Sequence, residues 1–530
     1  MADGKASQTG FAPLRQPAFA VLWLAAIVGN VGSFMRDVAS AWTITELSPT
    51  PAAVALIQAA ATLPIFLLAI PAGVLADTID RRRLLIAIQL LLGAVSATLM
   101  LLAQQSALTL PWLVGLTFLG GAGAALMGPA WQSIVPELVD RASLRSAVAL
   151  NSLGINVARA IGPALGGLVL GLAGAALTYG ADVLTYVAVV AALLWWKRPP
   201  AASAAGGEQF FGALRAGYRF TRASPQLHQL LGRSAVFFVF ASAVWALLPL
   251  VARQMLHGTP GFYGLLLGAI GMGAIVGAVA LPRLRVLLGA DGLVLLAAGL
   301  VAAAMAGLAF APPQWLALAL MLLMGAGWII ALTTFNGATQ SILPDWVRGR
   351  ALAVYLTVFN GAMTAGSLAW GAVAQGLGIP ATLALAAVGL AGAAAWAKRT
   401  PLPAGEDDLT PSGHWPQPPL AHGTAGGLGP VLVQIDYQVQ AGQRPQFIQT
   451  MQALARMRRQ GGASTWGLAQ DAQQPGTLVE WFVLESWEEH LRQHQRVSHA
   501  DAQLQHEVLR WHTGTEPPRV RHLLPAQDAG

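Results

Sequence analysis

Four ionisable side chains stand inside runs of sequence that are otherwise apolar: Arg36 and Asp37 in one run, Arg159 in a second and Asp182 in a third. An ionised group at mid-helix in a bilayer costs at least about 2.5–3.5 kcal/mol on insertion scales, so each of the four needs a partner or a task. The task that suits this set is proton handling, in which a carboxylate takes up and releases a proton and a nearby arginine sets its affinity. Asp37 is the candidate coupling group and Arg159 its modulator. The competing reading is structural: an Arg159–Asp182 ion pair across one helical hairpin, with Asp37 wetted near a surface. Arg36 and Asp37 are sequence neighbours, point in different directions on a helix and are not expected to neutralise each other. One carboxylate is enough to drive a cycle. A charge moved through about 100 mV supplies roughly 2.3 kcal/mol, which sustains a roughly 50-fold gradient at about 1.4 kcal/mol per factor of ten.

These side chains need helices that cross a membrane. Hydrophobic residues make up 55% of the 530 and charged residues only 10%, with a mean hydropathy of +0.57. That balance excludes a disordered chain, a nucleic-acid-binding protein and a soluble enzyme over most of the length. Spanning takes about 20 mostly apolar residues. Runs of that kind occur at 18–43, 52–76, 84–104, 110–136, 145–171 and 174–196, then at 230–254, 262–285, 291–311, 313–336, 347–375 and 380–398. The sequence thus predicts twelve helices in two groups of six. Basic residues mark alternate junctions: Lys5 and Arg15; Arg81, Arg82 and Arg83; Arg141 and Arg145; Lys197 and Arg198; Arg283 and Arg285; Arg348 and Arg350; Lys398 and Arg399. Arg253 is the exception on the other side. By the positive-inside rule both termini are expected in the cytoplasm, and Trp23, Trp112, Trp195, Trp315 and Trp396 fall near helix ends as interfacial belts do.

Charge divides the chain. Before residue 401 there are 22 Lys and Arg against 11 Asp and Glu; afterwards there are 9 against 13, with eight of the ten histidines. A basic, apolar body therefore precedes an acidic, soluble-looking tail. No cysteine is present, so disulfides, thiolate metal sites and cysteine nucleophiles are excluded. The N-terminus lacks a cleavable signal pattern, and there is no Walker A sequence to point to ATP. No cofactor and no metal are expected.

An internal repeat sets the architecture. Gln132-Ser133-Ile134 matches Gln340-Ser341-Ile342, and Pro136-Glu137 matches Pro344-Asp345. Further on, Asn156 pairs with Asn360, Gly162 with Gly366 and Gly167 with Gly371. A six-helix unit duplicated in parallel is the plan of the major facilitator fold. Glycines suit close helix packing in lipid, and that role covers most of the 58 without any chemistry.

The junction running from Gly73 through Asp77 and Asp80 to Arg81 and Arg82 resembles the major facilitator loop motif between helices two and three, with Thr78 and Asp80 departing from it. Gly162-Pro163-Ala-Leu-Gly166-Gly167 resembles the fifth-helix motif associated with antiporters. The longer stretch PAWQSIVPELVDRASLRSAVALNSLGINVARAIGPALGG is similar to the exporter branch called transmembrane secretion effectors, which includes enterobactin exporters; the likeness covers about residues 11–398. It implies a bacterial inner-membrane secondary transporter that carries a small-molecule substrate and protons by alternating access, with the first and fifth helices lining a central cavity. Gating is then expected of Gly73, Asp77, Arg81 and Arg82, and of Arg145 and Arg350 with Glu137 and Asp345 as partners. Asn30, Gln58, Gln132, Asn156, Asn336 and Asn360 are candidate cavity residues. Their neutral amides among Trp, Phe and Met suit an amphipathic organic molecule, a drug, siderophore or secondary metabolite, better than a sugar or an inorganic ion. Import, or a membrane-tethered enzyme whose activity lies in the tail, are the alternatives.

The expected division is a six-helix bundle over 1–198, a linker with an amphipathic helix at the lipid interface over 199–229, a second bundle over 230–399, a Pro/Gly-rich linker over 400–429, and a cytoplasmic domain over 430–524. Alternating strands and helices in the tail follow the order βαββαβ, a ferredoxin-like α+β fold. It resembles antibiotic-biosynthesis-monooxygenase-like domains, which pair into dimers. His490 and His494, four residues apart, share a helix face near His499, but a solvated or dimer-facing helix is the favoured reading over a metal site. The whole is read as an all-α membrane body with a regulatory or dimerising module, and as a transporter rather than an enzyme.

Overall fold

The structure, a computed structural model, describes residues 11–197, 210–403, 408–413 and 429–525, so Lys5, Arg198 and most of the 400–429 linker lie outside the described residues. Apolar runs closed by early prolines and short caps produce the helices. They are α1 (Pro17–Leu47), α2 (Pro51–Thr78), α3 (Arg81–Gln104), α4 (Leu110–Leu138) and α5 (Leu144–Trp195), followed by α6 (Phe210–Ala223). Then come α7 (Pro225–Leu250), extended by a π-helical turn to Met255, α8 (Pro260–Ala309), α9 (Gln314–Ser341), α10 (Asp345–Leu377) and α11 (Ile379–Ala397). Thr50 caps α2 through Ala53 N, Asp80 caps α3 through Arg83 N, and Thr259 caps α8 through Phe262 N. Among the described residues ten helices are long and apolar enough to span.

Two of those ten are double. A helix of 52 residues, as α5 is, would run about 78 Å, more than twice the thickness of a hydrocarbon core of about 30 Å. It folds back at Gly174, where φ is 78°, a value glycine adopts at little cost. The 50-residue α8 folds back at Gly289, where φ is 64°. Counting each as two spans gives the twelve-helix major facilitator fold. Leu172, Val279, Val286 and Phe310 stand largely exposed on the outside of this body, as side chains facing lipid do.

The repeat is visible in the backbone. Gly378, between α10 and α11, has φ 80° and stands to Gly174 at the spacing that relates Gly167 to Gly371. A Cβ on Gly162 would meet Phe34 and the Val31 carbonyl of α1, and one on Gly366 would meet Val239 and Ser242 of α7. A Cβ on Gly167 would come within 2.8 Å of the Gly264 Cα in α8, and one on Gly371 would meet Pro51 and Ala55 of α2. One repeat-related pair, Gly162 and Gly366, therefore packs inside its own bundle, and the other, Gly167 and Gly371, packs across to the opposite bundle.

The tail holds β1 (Val431–Gln438), α12 (Arg444–Gln460), β2 (Thr465–Gln470), β3 (Thr477–Leu484), α13 (Trp487–Arg496), α14 (His499–Leu509) and β4 (Arg519–Leu523). All pairs are antiparallel and the order is β2-β3-β1-β4, the ferredoxin-like arrangement. Val431, Val433, Ile435 and Tyr437 alternate inward on β1 and pack on Phe447, Met451 and Leu454 of α12. Glu480 takes a core position on β3. It accepts from Arg458 Nε at 3.0 Å, Trp466 Nε1 at 3.0 Å and Tyr437 Oη at 3.1 Å, so the buried carboxylate is fully engaged. Burial, and then the neighbouring Glu480 charge, hold the Tyr437 phenol well above its usual range.

By its contacts the chain resolves into two compact units. One comprises Met1–Ser203, Gly232–Asn336 and Val354–Pro401; the other comprises Ala204–Leu231, Gly337–Ala353 and Leu402–Gly530. Within the second, Arg215 and Arg219 of α6 reach Glu485 at 3.2 and 2.6 Å, and Arg219 lies 3.6 Å from Glu489. The expectation of a linker helix lying at the lipid interface is therefore revised: its arginines meet protein carboxylates. Those carboxylates lie 270 positions further along, beyond any local pattern. Phe210, Phe211 and Leu214, the expected apolar face, have side chains outside the described residues.

Candidate functional site

Ser33, Arg36 and Ser40 follow one another on α1 at intervals of three and four, and Tyr179, Asp182 and Tyr186 do the same on the second arm of α5. That spacing puts each trio on one helix face, and the two faces lie against each other. Arg36 Nη1 donates to Tyr186 Oη at 2.8 Å and lies 3.6 Å from Asp182 Oδ2, while Nη2 donates to Asp37 Oδ1 at 3.3 Å. Ser33 Oγ is 3.0 Å from Tyr186 Oη, and Ser40 Oγ is 3.3 Å from Tyr179 Oη. Ser96 of α3 donates to Asp182 Oδ2 at 2.6 Å. Gly32 makes the approach possible, since a Cβ there would stand 2.6 Å from Asp182 Oδ1.

Two sequence expectations are corrected here. Arg36, not Arg159, lies against Asp182, and Arg36 also pairs with its neighbour Asp37. An arginine side chain spans enough to bend back along its own helix, which the direction of the Cα–Cβ bonds alone does not reveal. The result is a chain of three charges: Asp37 with a 61% exposed side chain, Arg36 at 10%, and Asp182 at 0%. Tyr186 and Ser96 were not singled out from sequence. The three-and-four spacing around Asp182 is the signal that points to Tyr186, whereas nothing local points to Ser96.

Arg159 has no ion-pair partner among the described residues and is partly exposed. Its backbone carbonyl lies against Gly271 of α8, where a Cβ would stand 3.2 Å away. The neighbouring motif glycines pack α5 tightly on both sides. Gly162 and Gly166 face α1, where a Cβ on Gly166 would be 2.8 Å from Met35 Cα, and Gly167 faces α8. The α1, α2, α7 and α8 ends add further contacts between the bundles. Arg253 Nη1 donates to Thr45 Oγ1 at 3.0 Å, Gln254 Nε2 donates to the Pro49 carbonyl at 3.0 Å, and Trp42 lies 6.0 Å from Tyr263. All of these sit at the end remote from the basic junctions.

At the basic end, Arg81 Nη1 donates to Glu137 Oε1 at 2.7 Å and to the Ser133 carbonyl at 3.1 Å, and Arg82 donates to the Leu193 and Leu194 carbonyls. The partners foreseen for Glu137 and Asp345 change accordingly. Glu137 pairs with Arg81 rather than Arg145, and Asp345 pairs with Arg348 at 2.6 Å. Gly73 and Asp77 lie in α2, and their surroundings are outside the described residues.

Of the candidate cavity amides, Asn30, Asn156 and Asn360 each donate to a carbonyl four residues back on their own helix, at 2.8, 2.9 and 2.8 Å. Gln132 is exposed, Gln58 and Asn336 are partly buried, and Asn336 has a bonding partner. Between α2 and α10, Thr62 Oγ1 and Thr364 Oγ1 bond across the bundles at 2.7 Å. Among the described residues the second bundle carries no counterpart of the three-charge chain. It holds an aromatic cluster instead, in which Phe238 meets Trp328 at 5.2 Å and Phe359 at 4.6 Å, and Trp245 meets Trp328 at 5.2 Å. The Trp245 Nε1 in this cluster is buried without a hydrogen-bond acceptor.

In the tail, the His490 ring lies 4.5 Å from His494 and 4.7 Å from His522. Among the described residues no group of three or more such side chains converges in a way that would hold a metal ion.

Two parallel six-helix bundles in contact through α5–α8 and α2–α10, with buried charge in one and an aromatic cluster in the other, define a secondary transporter of the major facilitator type. A solved structure of a bacterial homolog of the human lysosomal transporter Spinster, inward-facing and occupied, has the same fold, with a TM-score of 0.58 at 16% identity, covering 74% of this chain and 98% of that one. The family described as transmembrane secretion effector matches residues 8–529, and the chain belongs to it. The match continues through the C-terminal domain. Similar curated proteins are the staphyloferrin A transporter of Staphylococcus aureus, 24% identical over 67% of this chain and 89% of that protein, and the enterobactin exporter EntS of Salmonella choleraesuis, 29% identical over 63% and 80%. These relatives and neighbours are transporters, so the reading of the body as an anchor for an enzyme is set aside.

Proposed function

We propose that this protein exports an amphipathic small organic molecule, a siderophore or a related secondary metabolite or drug, across a bacterial inner membrane in exchange for protons. The observation that carries the proposal is the Asp37–Arg36–Asp182 chain. One guanidinium stands between a half-open carboxylate and a fully buried one, and it can favour only one of them at full strength at a time. When Asp37 takes up a proton, Arg36 turns wholly to Asp182 and Tyr186; when Asp37 releases it, the pull is shared. Because Arg36 and Asp182 hold α1 against the second arm of α5, protonation alters how tightly those helices grip each other. Arg159, a cation without an ion-pair partner among the described residues and beside the α5–α8 contact, is offered to the substrate's negative charge, a change from the role of proton-affinity modulator.

Direction rests on the fifth-helix glycines and on the printed roles of the relatives. With the basic junctions on the cytoplasmic side, both termini are cytoplasmic, and the Gly167–Gly264 and Arg253–Thr45 contacts close the outer end. The C-terminal domain is read as a regulatory module, similar to the antibiotic-biosynthesis-monooxygenase-like domains that pair into dimers. The test uses inside-out vesicles with an imposed pH gradient, after secreted-metabolite profiling of a deletion strain has named the substrate. Uptake into the vesicles should follow the gradient and should be lost in Asp37→Asn, with substrate binding retained. An Asp37→Asn protein that still concentrates substrate at the normal rate against a gradient would overturn the coupling role.

A further inference from the structure

Inside the second compact unit is a cavity of about 610 Å³ that no step of transport employs. It opens where the α6–α7 corner (Phe220, Ser224, Pro225, Gln226) and the α9–α10 turn (Ile342, Pro344, Trp346) meet the helical layer of the C-terminal domain. Its walls are of two kinds. Phe220 and Trp346 meet edge to face at 5.8 Å, and Met457 and Leu504 continue that apolar side. The polar side carries Arg456, Arg496, Asp501 and Gln493.

The charges on the polar side are not equally available. Asp501 Oδ2 is taken up by the Ser498 amide at 3.0 Å and the Ser498 hydroxyl at 2.7 Å, in the capping box of α14. Arg496 is neutralised by Glu489 at 2.7 Å and lies over the Trp346 ring at 4.3 Å. Arg456 is exposed and has no ion pair among the described residues. Gln493 is 2% exposed, yet neither its amide nitrogen nor its carbonyl oxygen meets a hydrogen-bond partner. A buried amide left unsatisfied on both atoms is costly, and Gln493 stands in the wall of the cavity.

We propose that this cavity is an effector site for an amphipathic organic acid. The ligand's aromatic or aliphatic body lies over Phe220, Trp346 and Met457, its acid group pairs with Arg456, and a polar substituent satisfies the Gln493 amide. The volume suits a small molecule rather than a peptide segment. An occupant joins the first turn of α10 and the start of α7 to α12, α13 and α14, so binding stiffens the second unit. This reading depends neither on the direction of transport nor on its coupling ion.

The probe is 2-naphthoate, an aromatic carboxylate, with 2-naphthamide as its neutral counterpart, titrated into the full chain in lipid nanodiscs and followed by saturation-transfer NMR. Empty nanodiscs measure partition into lipid. Saturable binding of 2-naphthoate, at least tenfold weaker for 2-naphthamide and for Arg456→Gln, is expected. Ala453→Trp, which fills the cavity without changing charge, should abolish it. Hydrogen exchange over residues 342–349 should slow when the probe is bound. Signal that matches empty nanodiscs, or saturable binding unchanged in both Arg456→Gln and Ala453→Trp, overturns the proposal. Arg456 lies on the surface, so its variant keeps the fold, and unchanged gel-filtration behaviour confirms this.

Discussion

Replacing Arg36 by Met removes the cation that pairs with Asp182 at 3.6 Å, the only one to do so among the described residues. What remains around that carboxylate is the Ser96 hydroxyl at 2.6 Å and the Thr185 hydroxyl at 3.4 Å, in a position with no solvent exposure. Breaking a buried pair by removing one partner costs about 3–5 kcal/mol, because a charge is left without compensation. That range corresponds to a roughly 150- to 5,000-fold fall in the ratio of folded to unfolded protein. Asp182→Asn is milder, since Arg36 keeps Asp37 and Tyr186. The double variant Arg36→Met with Asp182→Asn removes both buried charges and should lie within about 1.5 kcal/mol of the parent, so the two changes do not add. The assay is reversible unfolding of the full chain in mixed micelles with increasing sodium dodecyl sulfate, with each variant compared at a common detergent fraction. Additive losses in the double variant would refute the pairing of Arg36 with Asp182. A double variant that is stable yet still transports against a gradient would show that the pair only holds helices together.

Gly167→Leu places a branched side chain where even a Cβ would stand 2.8 Å from Gly264 Cα; it should hold the α5–α8 contact open and stop transport without unfolding the bundles. Single cysteines placed near Thr45 or Pro260 in the otherwise cysteine-free chain should then label faster from the outside, and unchanged labelling would count against closure at that end. His490 is 1% exposed, and burial, followed by the adjacent His494 and His522, pushes its imidazole down to about 3, whereas the unfolded residue titrates near 6.5. The unfolded state binds the extra proton between those values, so the C-terminal domain should lose about 1.4 kcal/mol per pH unit as pH falls from roughly 6.5 towards 3. His490→Leu should flatten that dependence, read from the hydrogen-exchange protection of β1; an identical slope in the variant would place the titration elsewhere, with His522 and His494 the next groups to replace.

The spans were legible because bilayer thickness and apolar length are nearly one variable, so a run such as 84–104 needs no knowledge of its neighbours. The break between the runs 145–171 and 174–196 was legible for the same reason, although Gly174, where the chain turns, had been counted into the second run; the Asn156–Asn360 and Gly167–Gly371 matches carried the duplication into three dimensions. Partner choice was not. Whether Asp182 meets Arg36 or Arg159 depends on how far two helices rotate about their axes, and the sequence constrains that only through small residues such as Gly32. The α6 arginines show the same limit at longer range. Amphipathic spacing identifies a face in need of negative charge, and it cannot distinguish lipid phosphate from Glu485 and Glu489. Within the tail, the alternation of β1 and β3 revealed the sheet, while Glu480 at a core position went unnoticed because its compensation comes from Arg458, Trp466 and Tyr437 on three different elements.

Gly174 has a mechanical consequence. The two arms of α5 are joined by a single residue, so they form one stiff fork with no slack at its root. Arg159 rides on the first prong and Asp182 on the second. If the substrate binds at Arg159 as proposed, a pull on the first prong should reach the acid on the second without any intervening wire of side chains. Gly378 builds the same fork from α10 and α11, whose second prong has no acid to deliver. The duplicated halves thus share one lever, and only the first half has kept a charge at its tip.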